Sequence, residues 1–387
     1  MTIVWGSKVA TRPSVSCITG QAPPGTRRFY PELESLRGLA AITVVLFHIF
    51  GTREPNPQTL SNLDFDATAN LVLTTMFGGT GAVTVFFVLS GFVLGESLNR
   101  APVLSVRAYL EFFVKRLFRL LPAAWASIAV AIILMTLQGI PVRWGLLGRA
   151  LALQELALPH FNGPLWSLYV ELYASAAFPI LVFANRLLSP PFQIVILYIL
   201  LWVSATDGFP FWTVFFFCFQ LGLMIRSVMI PAIASMPYRV SLVLFFVSLI
   251  GVLIPTNLHH LGFMGTKDHT YIEGFAAAFL LAYVLTTQGA WLAEGLQIAP
   301  LRFLGRISYS LYAFHFPITS ALEVWTWSHL VSGPYLVAQS VCLLTVVPTC
   351  ILAGYLGYRF IEEPFRKLGR DIGRIFRAQG VETSAAN

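Results

Sequence analysis

The chain has 387 residues, of which 56% are hydrophobic, 14% aromatic and only 11% charged. A soluble domain usually carries about a quarter charged residues, so this composition excludes a disordered chain and argues against a soluble globular protein. The apolar residues form long runs and do not alternate with polar ones, which excludes an outer-membrane barrel. The composition therefore predicts an all-α fold, a polytopic bundle of transmembrane helices.

The formal net charge is +7, with 25 basic and 18 acidic residues. The basic residues lie between apolar segments, so membrane topology explains them and no nucleic-acid partner is expected. The cysteines are Cys17, Cys218, Cys342 and Cys350. Since none forms a Cys-x-x-Cys pair, neither a zinc site nor a disulfide framework is predicted. Three histidines do not have the spacing of a zinc site, and they are predicted to be loop residues. They are His259, His260 and His269.

The chain divides into a polar tail, a membrane domain and a basic tail. Residues 1–35 are predicted to be a cytoplasmic N-terminal tail without the apolar core of a signal peptide. Residues 36–363 form the membrane domain, and residues 364–387 a basic cytoplasmic C-terminal tail. Pro364 cannot continue a regular helix, so Glu362-Glu363-Pro364 is predicted to end the last span.

Ten apolar segments have about the length that a hydrocarbon layer of about 30 Å requires. They are residues 36–53, 78–98, 120–138, 164–185, 192–206, 209–227, 238–255, 271–288, 303–327 and 335–359. The short fifth and sixth segments are predicted to form a tight hairpin through Asp207, Gly208 and Pro210.

The basic residues predict the orientation of this bundle. Ten crossings place most of the 25 basic residues on one side of the membrane. The exceptions are Arg53, Arg143, Arg149 and Lys267. Because cytoplasmic segments are enriched in Lys and Arg, both termini are predicted to be cytoplasmic, which requires an even number of spans.

His48 is an ionisable residue in the middle of the first predicted span. It lies eleven residues after Arg37, or about 16 Å along a helix axis, which is about half the hydrocarbon thickness. Eleven residues make almost three turns, so both side chains are expected on one face. Ionisable residues at this depth are costly and usually functional.

Other polar residues lie at comparable depth in other spans. Glu171 is expected about 10 Å below the outer surface, with Ser167 four residues earlier on the same helix face. Ser90 lies in the second predicted span and His315 in the ninth. On depth alone, we predict that His48, Glu171, His315 and Ser90 converge on one buried polar site.

The chemistry of an imidazole makes His48 the first candidate for catalysis. Its unperturbed pKa lies near neutrality, so it can remove a proton from a hydroxyl that attacks an acyl group. The alternative is a histidine that hydrogen-bonds a neighbouring helix.

Six short sequence motifs occur in order along the chain. They are Arg37-x10-His48, Phe-Phe-Val-Leu-Ser-Gly-Phe at 86–92, Arg116-x-x-Arg119, Trp-Ser-Leu-Tyr-Val-Glu at 166–171, Ile-Ser-Tyr-Ser-Leu-Tyr-Ala-Phe-His-Phe-Pro at 307–317 and Glu-Glu-Pro-Phe at 362–365. With these motifs the chain resembles the acyltransferase-3 family of membrane-bound O-acyltransferases over nearly its whole length. One departure is Glu34, where the family often has Asp; the charge is the same.

The resemblance implies a transfer of an acyl group, most often acetyl, from cytoplasmic acyl-coenzyme A to a hydroxyl. The implied acceptor is a glycan, a lipid-linked saccharide or a small molecule. Acyl-coenzyme A is then a co-substrate, with no permanently bound cofactor and no metal expected. Together with the topology, the resemblance places the protein in a bacterial inner membrane, among membrane lipids.

The resemblance also assigns roles to single residues. His48 is the implied catalytic base, and Arg37 orients the site or contacts a donor phosphate. Arg116 and Arg119 present one basic face at the cytoplasmic surface and are implied to bind the donor phosphates. The alternative for all three arginines is ordinary anchoring of helix ends at the membrane surface.

The sequence leaves several roles open for the remaining site residues. Glu171 either pairs with His48 and holds its tautomer or locks its helix in place, with Ser167 in the same hydrogen-bond network. His315 is a second base, a substrate ligand or a packed histidine, and Tyr309 packs and hydrogen-bonds locally. Neither Ser167 nor Ser90 is expected to be a nucleophile, and direct transfer and an acyl-enzyme on His48 are both open.

Two other functions compete with an acyltransferase. A secondary transporter or flippase also uses buried His, Glu and Arg residues, but the inverted repeats and paired broken helices common in transporters are not found in this sequence. A non-catalytic scaffold or sensor gives no reason for polar residues to lie at mid-membrane depth.

Overall fold

The computed structural model describes residues 30–50, 65–98, 106–154, 157–187, 189–206, 208–329 and 335–385. Across these ranges the chain is helical and contains no strand, as the composition predicts. Most of the predicted N-terminal tail, and with it Cys17, lies outside the described residues, as do Arg53 and Asp207.

Twelve helices form the frame of the described part of the chain. They are α1 (Pro31–Phe50), α2 (Phe65–Met76), α3 (Gly79–Leu98), α4 (Val106–Leu137), α5 (Trp166–Leu187), α6 (Pro190–Ala205), α7 (Val214–Met224), α8 (Tyr238–Leu253), α9 (Asp268–Val284), α10 (Ala299–His329), α11 (Tyr335–Gly357) and α12 (Glu363–Ala385). Each of the ten predicted segments overlaps one of these helices. Two differences are that α2 was not predicted and that α4 begins at Val106, well before residue 120.

Six helical segments are long and apolar enough to cross a membrane, among the residues that are described. They are Pro31–Phe50, Ala67–Leu98, Val106–Leu137, Gly163–Leu187, Phe211–Ala234 and Gln339–Phe376. A seventh is obtained if α9 and Thr287–Leu296, bent by 84°, count as one span. Helices α6 and α8 are apolar but shorter, and their large apolar side chains are widely exposed, as expected against lipid.

Helix α10 does not belong to those six, and its polar residues explain why. Ser308, Ser310 and His315 are each at most 1% exposed, so they face the interior of the bundle. These polar residues lower the mean hydropathy of α10. Its position between other helices removes those polar groups from lipid.

Helices α1 and α10 run parallel and touch along their length. At Gly38 an added Cβ would lie 2.5 Å from the backbone nitrogen of Gly305, so only glycine allows this approach. Ten residues further along each helix, the rings of His48 and His315 have centroids 4.9 Å apart. Small residues commonly let membrane helices approach this closely.

Helix α3 runs antiparallel to α1, since Gly79 lies against Phe47 and Phe92 against Tyr30. Two clusters of buried apolar side chains result, one mainly around α3, α7 and α9 and the other mainly around α4, α10 and α11. Phe86 and Trp166 pack against both clusters. The site described below lies at this boundary.

The backbone changes from α-helix to π-helix at the predicted end of the last span. A π-helical turn, Tyr358–Glu362, follows α11, and α12 starts at Glu363 with Pro364 in its first turn. Proline is tolerated there because the first turn of a helix needs no donor from its backbone nitrogen. The predicted C-terminal tail is therefore helical through Ala385.

Candidate active site

A first cavity lies between α1, α3, α4, α5 and α10. It contains most of the polar residues singled out from the sequence. Its polar lining consists of Arg37, Ser90, Arg119, Ser167, Glu171, Ser308, Tyr309 and Tyr312. Ser90 donates a hydrogen bond of 3.3 Å to Glu171 across this cavity.

Arg116 is buried in the wall behind this cavity and is fully engaged there. Its guanidinium forms an ion pair of 2.5 Å with Glu171 and donates a 3.0 Å hydrogen bond to the hydroxyl of Ser175. The side chain of Arg116 is 6% exposed and that of Glu171 is 18% exposed. A charge this far from water needs such a partner, so this pair joins α4 to α5.

Arg37 and Arg119 differ from Arg116 because their guanidiniums line the cavity. Within the described part of the chain, no hydrogen bond or ion pair holds either of them. Glu171 and Glu362 act on both arginines through longer-range attraction. Two arginines with free donors in a half-buried cavity form a site for an anion such as a phosphate.

A second cavity adjoins the first one. Val83 and Tyr312 line both cavities, so these two residues form the boundary between them. The second cavity contains His48, with Phe47, Trp166 and Phe316 as its aromatic walls.

Two carbonyl groups fix the protonation of the histidine pair. The Nδ1 atom of His48 lies 2.8 Å from the carbonyl of Val44, and Nδ1 of His315 lies 2.6 Å from the carbonyl of Tyr312. A carbonyl only accepts, so Nδ1 carries the proton in both neutral rings. The Nδ1–H of His48 then also points at Nε2 of His315, 3.3 Å away. In this tautomer Nε2 of the neutral His48 ring carries no proton.

Hydrogen bonds hold the boundary residue Tyr312 in place. Its hydroxyl lies 2.7 Å from the hydroxyl of Ser167 and donates to the carbonyl of Pro164 at 2.8 Å. Buried Asn162 donates to the carbonyl of Ala313 at 2.8 Å, which fixes the segment before α5 against α10. Asn162 was not singled out from the sequence, because only its contacts show its position.

The structure separates the residues predicted at one polar site. Glu171 and Ser90 line the first cavity and His48 lines the second, while His315 is buried against His48. Of the two interpretations of Glu171, its contacts with Arg116 and Ser90 agree with the one in which it holds its helix in place. Depth along a helix carries no information about which helices are neighbours.

The structure does not present Arg116 and Arg119 as one basic face. Three residues along a helix rotate a side chain by about 300°, so neighbours on one face still diverge by about 60°. That divergence directs Arg116 to Glu171 and leaves Arg119 in the cavity. Tyr309 has the local role predicted for it, since its hydroxyl donates to the carbonyl of Leu120.

Glu362 is a further charged residue near the site that sequence reasoning treated only as a helix end. It lies in the π-helical turn, is 5% exposed and accepts a 2.7 Å hydrogen bond from Ser310. π-turns occur frequently at functional sites. The signal available in the sequence was a pair of glutamates directly after an apolar run.

The three histidines predicted in a loop are helical. His259 and His260 end a short helix, Pro255–His260, and His269 lies in the first turn of α9. The rings of His259 and His269 stack at 4.7 Å. Over the described ranges, no three His, Cys, Asp or Glu side chains lie close enough to hold a metal ion.

Comparison with known proteins agrees with these features. The family model described as "Acyltransferase domain" matches residues 30–355. This range includes both cavities and all the helices that line them. The chain belongs to the acyltransferase-3 family.

Curated relatives include the O-acetyltransferase OatA of Staphylococcus aureus, in strains NCTC 8325 / PS 47 and COL. Each is 26% identical over 395 residues, which cover 88% of this chain. The chain spans 58% of the length of these relatives. No solved structure gives a significant match.

The different contacts of Arg116 and Arg119 predict different effects on stability. Arg116→Gln leaves the Glu171 carboxylate without its cation, and the expected cost is about 3–5 kcal/mol. Arg119→Gln removes no described hydrogen bond or ion pair and is expected to change stability much less. Thermal unfolding of the purified protein in detergent measures both variants.

The double variant Arg116→Gln/Glu171→Gln serves as the control, because it removes both charges and should recover part of the loss. Equal destabilisation by Arg116→Gln and Arg119→Gln would contradict the assigned contacts.

Proposed function

We propose that the protein is a membrane-bound O-acyltransferase. It moves an acyl group, most often acetyl, from acyl-coenzyme A to a hydroxyl of a glycan, a lipid-linked saccharide or a small molecule. The observation that carries this proposal is the pair of adjoining cavities. One contains two arginines that no hydrogen bond or ion pair holds among the described residues, and the other contains His48, whose neutral ring carries its proton on Nδ1. Membership of the acyltransferase-3 family favours this function over a transporter or flippase.

The donor occupies the first cavity in this proposal. Arg37 and Arg119 hold phosphate groups of the coenzyme, for which planar guanidiniums with free donors are well suited. The pantetheine arm extends from there toward Val83 and Tyr312, where the two cavities meet. Arg116 contributes indirectly, by neutralising Glu171 and fixing α5.

The acceptor occupies the second cavity, where aromatic walls and a few polar groups fit the chemistry of a ligand pocket. His48 Nε2 takes the proton of the attacking hydroxyl as its oxygen bonds to the thioester carbon. The carbon–sulfur bond then breaks, and the proton on His48 passes to the departing thiolate. The products are an ester and free coenzyme A.

His315 is proposed as a positioning residue for His48. It is fully buried, its Nδ1 is bound to a carbonyl, and its Nε2 faces Nδ1 of His48. An acceptor at this place keeps the proton of His48 on Nδ1 and stabilises the imidazolium formed during transfer. Ser90, Ser167 and Tyr309 support the shape of the donor cavity.

Loss of the proposed base is expected to separate donor binding from turnover. His48→Ala should bind acetyl-coenzyme A but release free coenzyme A about 10²–10⁴ times more slowly than wild type. The measurement uses purified protein in nanodiscs with donor labelled on the acetyl group.

His260→Ala is the matched control, because it removes a histidine outside both cavities, and it should keep wild-type turnover. Wild-type turnover by His48→Ala would contradict the assigned base. Failure of wild type to bind or consume any acyl-coenzyme A would contradict the donor.

We further propose ten membrane crossings with both termini in the cytoplasm of a bacterium, the protein lying in the inner (plasma) membrane. The supports are the ten helices in the predicted segments, the opposite directions of α1 and α3 and the parallel directions of α1 and α10. In this arrangement the first cavity faces the cytoplasmic donor and the second cavity faces the opposite side.

This orientation predicts which side of the membrane single residues occupy. In a variant with Cys17→Ser, a cysteine at Trp144→Cys should react with an impermeant maleimide in intact cells. A cysteine at Arg374→Cys should react only after the membrane is opened. Both positions are exposed, and the native Cys218, Cys342 and Cys350 are buried. The reverse pattern would contradict the orientation.

A further inference from the structure

A third cavity, open to solvent, lies beside the first helical turns of α10. It is lined by Glu34, Ala299, Arg302 and Arg306. None of these residues is part of the two cavities described above. Their position, at the end of α1 and α10 opposite to the histidines, places the cavity on the proposed cytoplasmic side.

The two arginines of this cavity are exposed and lie on one face of α10. Arg302 and Arg306 are four residues apart, where like charges repel each other. Among the described residues, neither guanidinium forms a hydrogen bond or an ion pair, and the carboxylate of Glu34 in the same cavity forms no ion pair with them. Two free guanidiniums against one carboxylate favour an anionic ligand with two or more acceptor oxygens.

This third cavity is adjacent to the donor cavity along the same two helices. Glu34 lies one turn before Arg37 on α1, and Arg306 lies two residues before Ser308, which lines the donor cavity. Arg302 precedes His315 by thirteen residues, or about 20 Å of helix, while Arg37 precedes His48 by about 16 Å. Arg302 is thus farther than Arg37 from the reacting groups.

The order of groups in coenzyme A matches this order of charges. From the thioester, the molecule continues through the pantetheine arm to the diphosphate, and the ribose with its 3′-phosphate lies beyond. On the basis of the proposed function, we propose that the third cavity binds the 3′-phosphate of the donor through Arg302 and Arg306. Glu34 accepts a hydrogen bond from the ribose hydroxyl, and Arg37 and Arg119 hold the diphosphate.

Acetyl-coenzyme A and its 3′-dephospho form test this site. Binding of both compounds is measured with the full chain in phosphatidylcholine nanodiscs. Wild type should bind acetyl-coenzyme A about tenfold or more tightly than the dephospho form, as expected for charge-assisted hydrogen bonds. Arg302→Gln/Arg306→Gln should bind both compounds equally, with the affinity that wild type has for the dephospho form.

The control Arg239→Gln/Arg374→Gln removes two exposed arginines outside all three cavities, and it should keep the wild-type preference. A preference retained by Arg302→Gln/Arg306→Gln, or no preference in wild type, would overturn the 3′-phosphate site and leave the proposed function standing. Absence of binding of either compound to wild type would instead overturn the donor itself.

A phospholipid headgroup offers the same phosphate chemistry, so the measurement is repeated with phosphatidylglycerol in the nanodiscs. The proposal expects no change in the affinity of wild type. If phosphatidylglycerol weakens binding to wild type and not to Arg302→Gln/Arg306→Gln, the cavity binds lipid and the proposal is overturned.

Discussion

The close contact between two parallel helices determines the geometry of the whole site. Gly38 and Gly305 let the backbones of α1 and α10 meet, with no room for a side chain at either position. His48 and His315 follow these glycines by ten residues each, so the helix contact also sets the histidine contact. Because ten residues span about 15 Å, one packing interaction in the N-terminal part of both helices fixes the position of two histidines about 15 Å away.

The distribution of charge completes this arrangement. Of the three arginines near the donor cavity, Arg116 is neutralised by Glu171, and that pair holds α4 against α5. Arg37 and Arg119 are then left with free donors toward the cavity. Unpaired charges are costly within a membrane protein, and in the proposed function a bound anionic donor offsets that cost. On this proposal the stability of the bundle and the affinity for the donor depend on different arginines.

Much of the fold was predictable from the sequence, because apolar run length and helix geometry are local properties. The helical class and a helix in each of the ten segments follow from the spacing of residues along single helices. The contacts that those residues make with other helices are not local properties. Periodicity assigns a side chain to a face of its helix, but it does not say which helix packs there. That is why His315, and not Glu171, was found beside His48.

The same limit explains the roles that were missed. Tyr312 acquires its importance from a position between two cavities, and Glu362 from a π-turn that no hydrophobic pattern indicates. The divergence of Arg116 from Arg119 results from a helix rotation of about 60°, which matters only once α5 is in place. Sequence motifs did identify the right segments, since the motifs at 166–171 and 307–317 contribute residues to both cavities.

The central claim is that donor and acceptor meet at the boundary formed by Val83 and Tyr312, within reach of His48. The most direct measurement is an experimental structure with a thioether analogue of acetyl-coenzyme A. In this analogue a methylene group is inserted between the carbonyl carbon and the sulfur, so there is no thioester to cleave. The account predicts the diphosphate between Arg37 and Arg119 and the carbonyl of the analogue at Tyr312, on the side of His48. An analogue bound with its carbonyl away from the second cavity, or with its phosphates apart from both arginines, would contradict it.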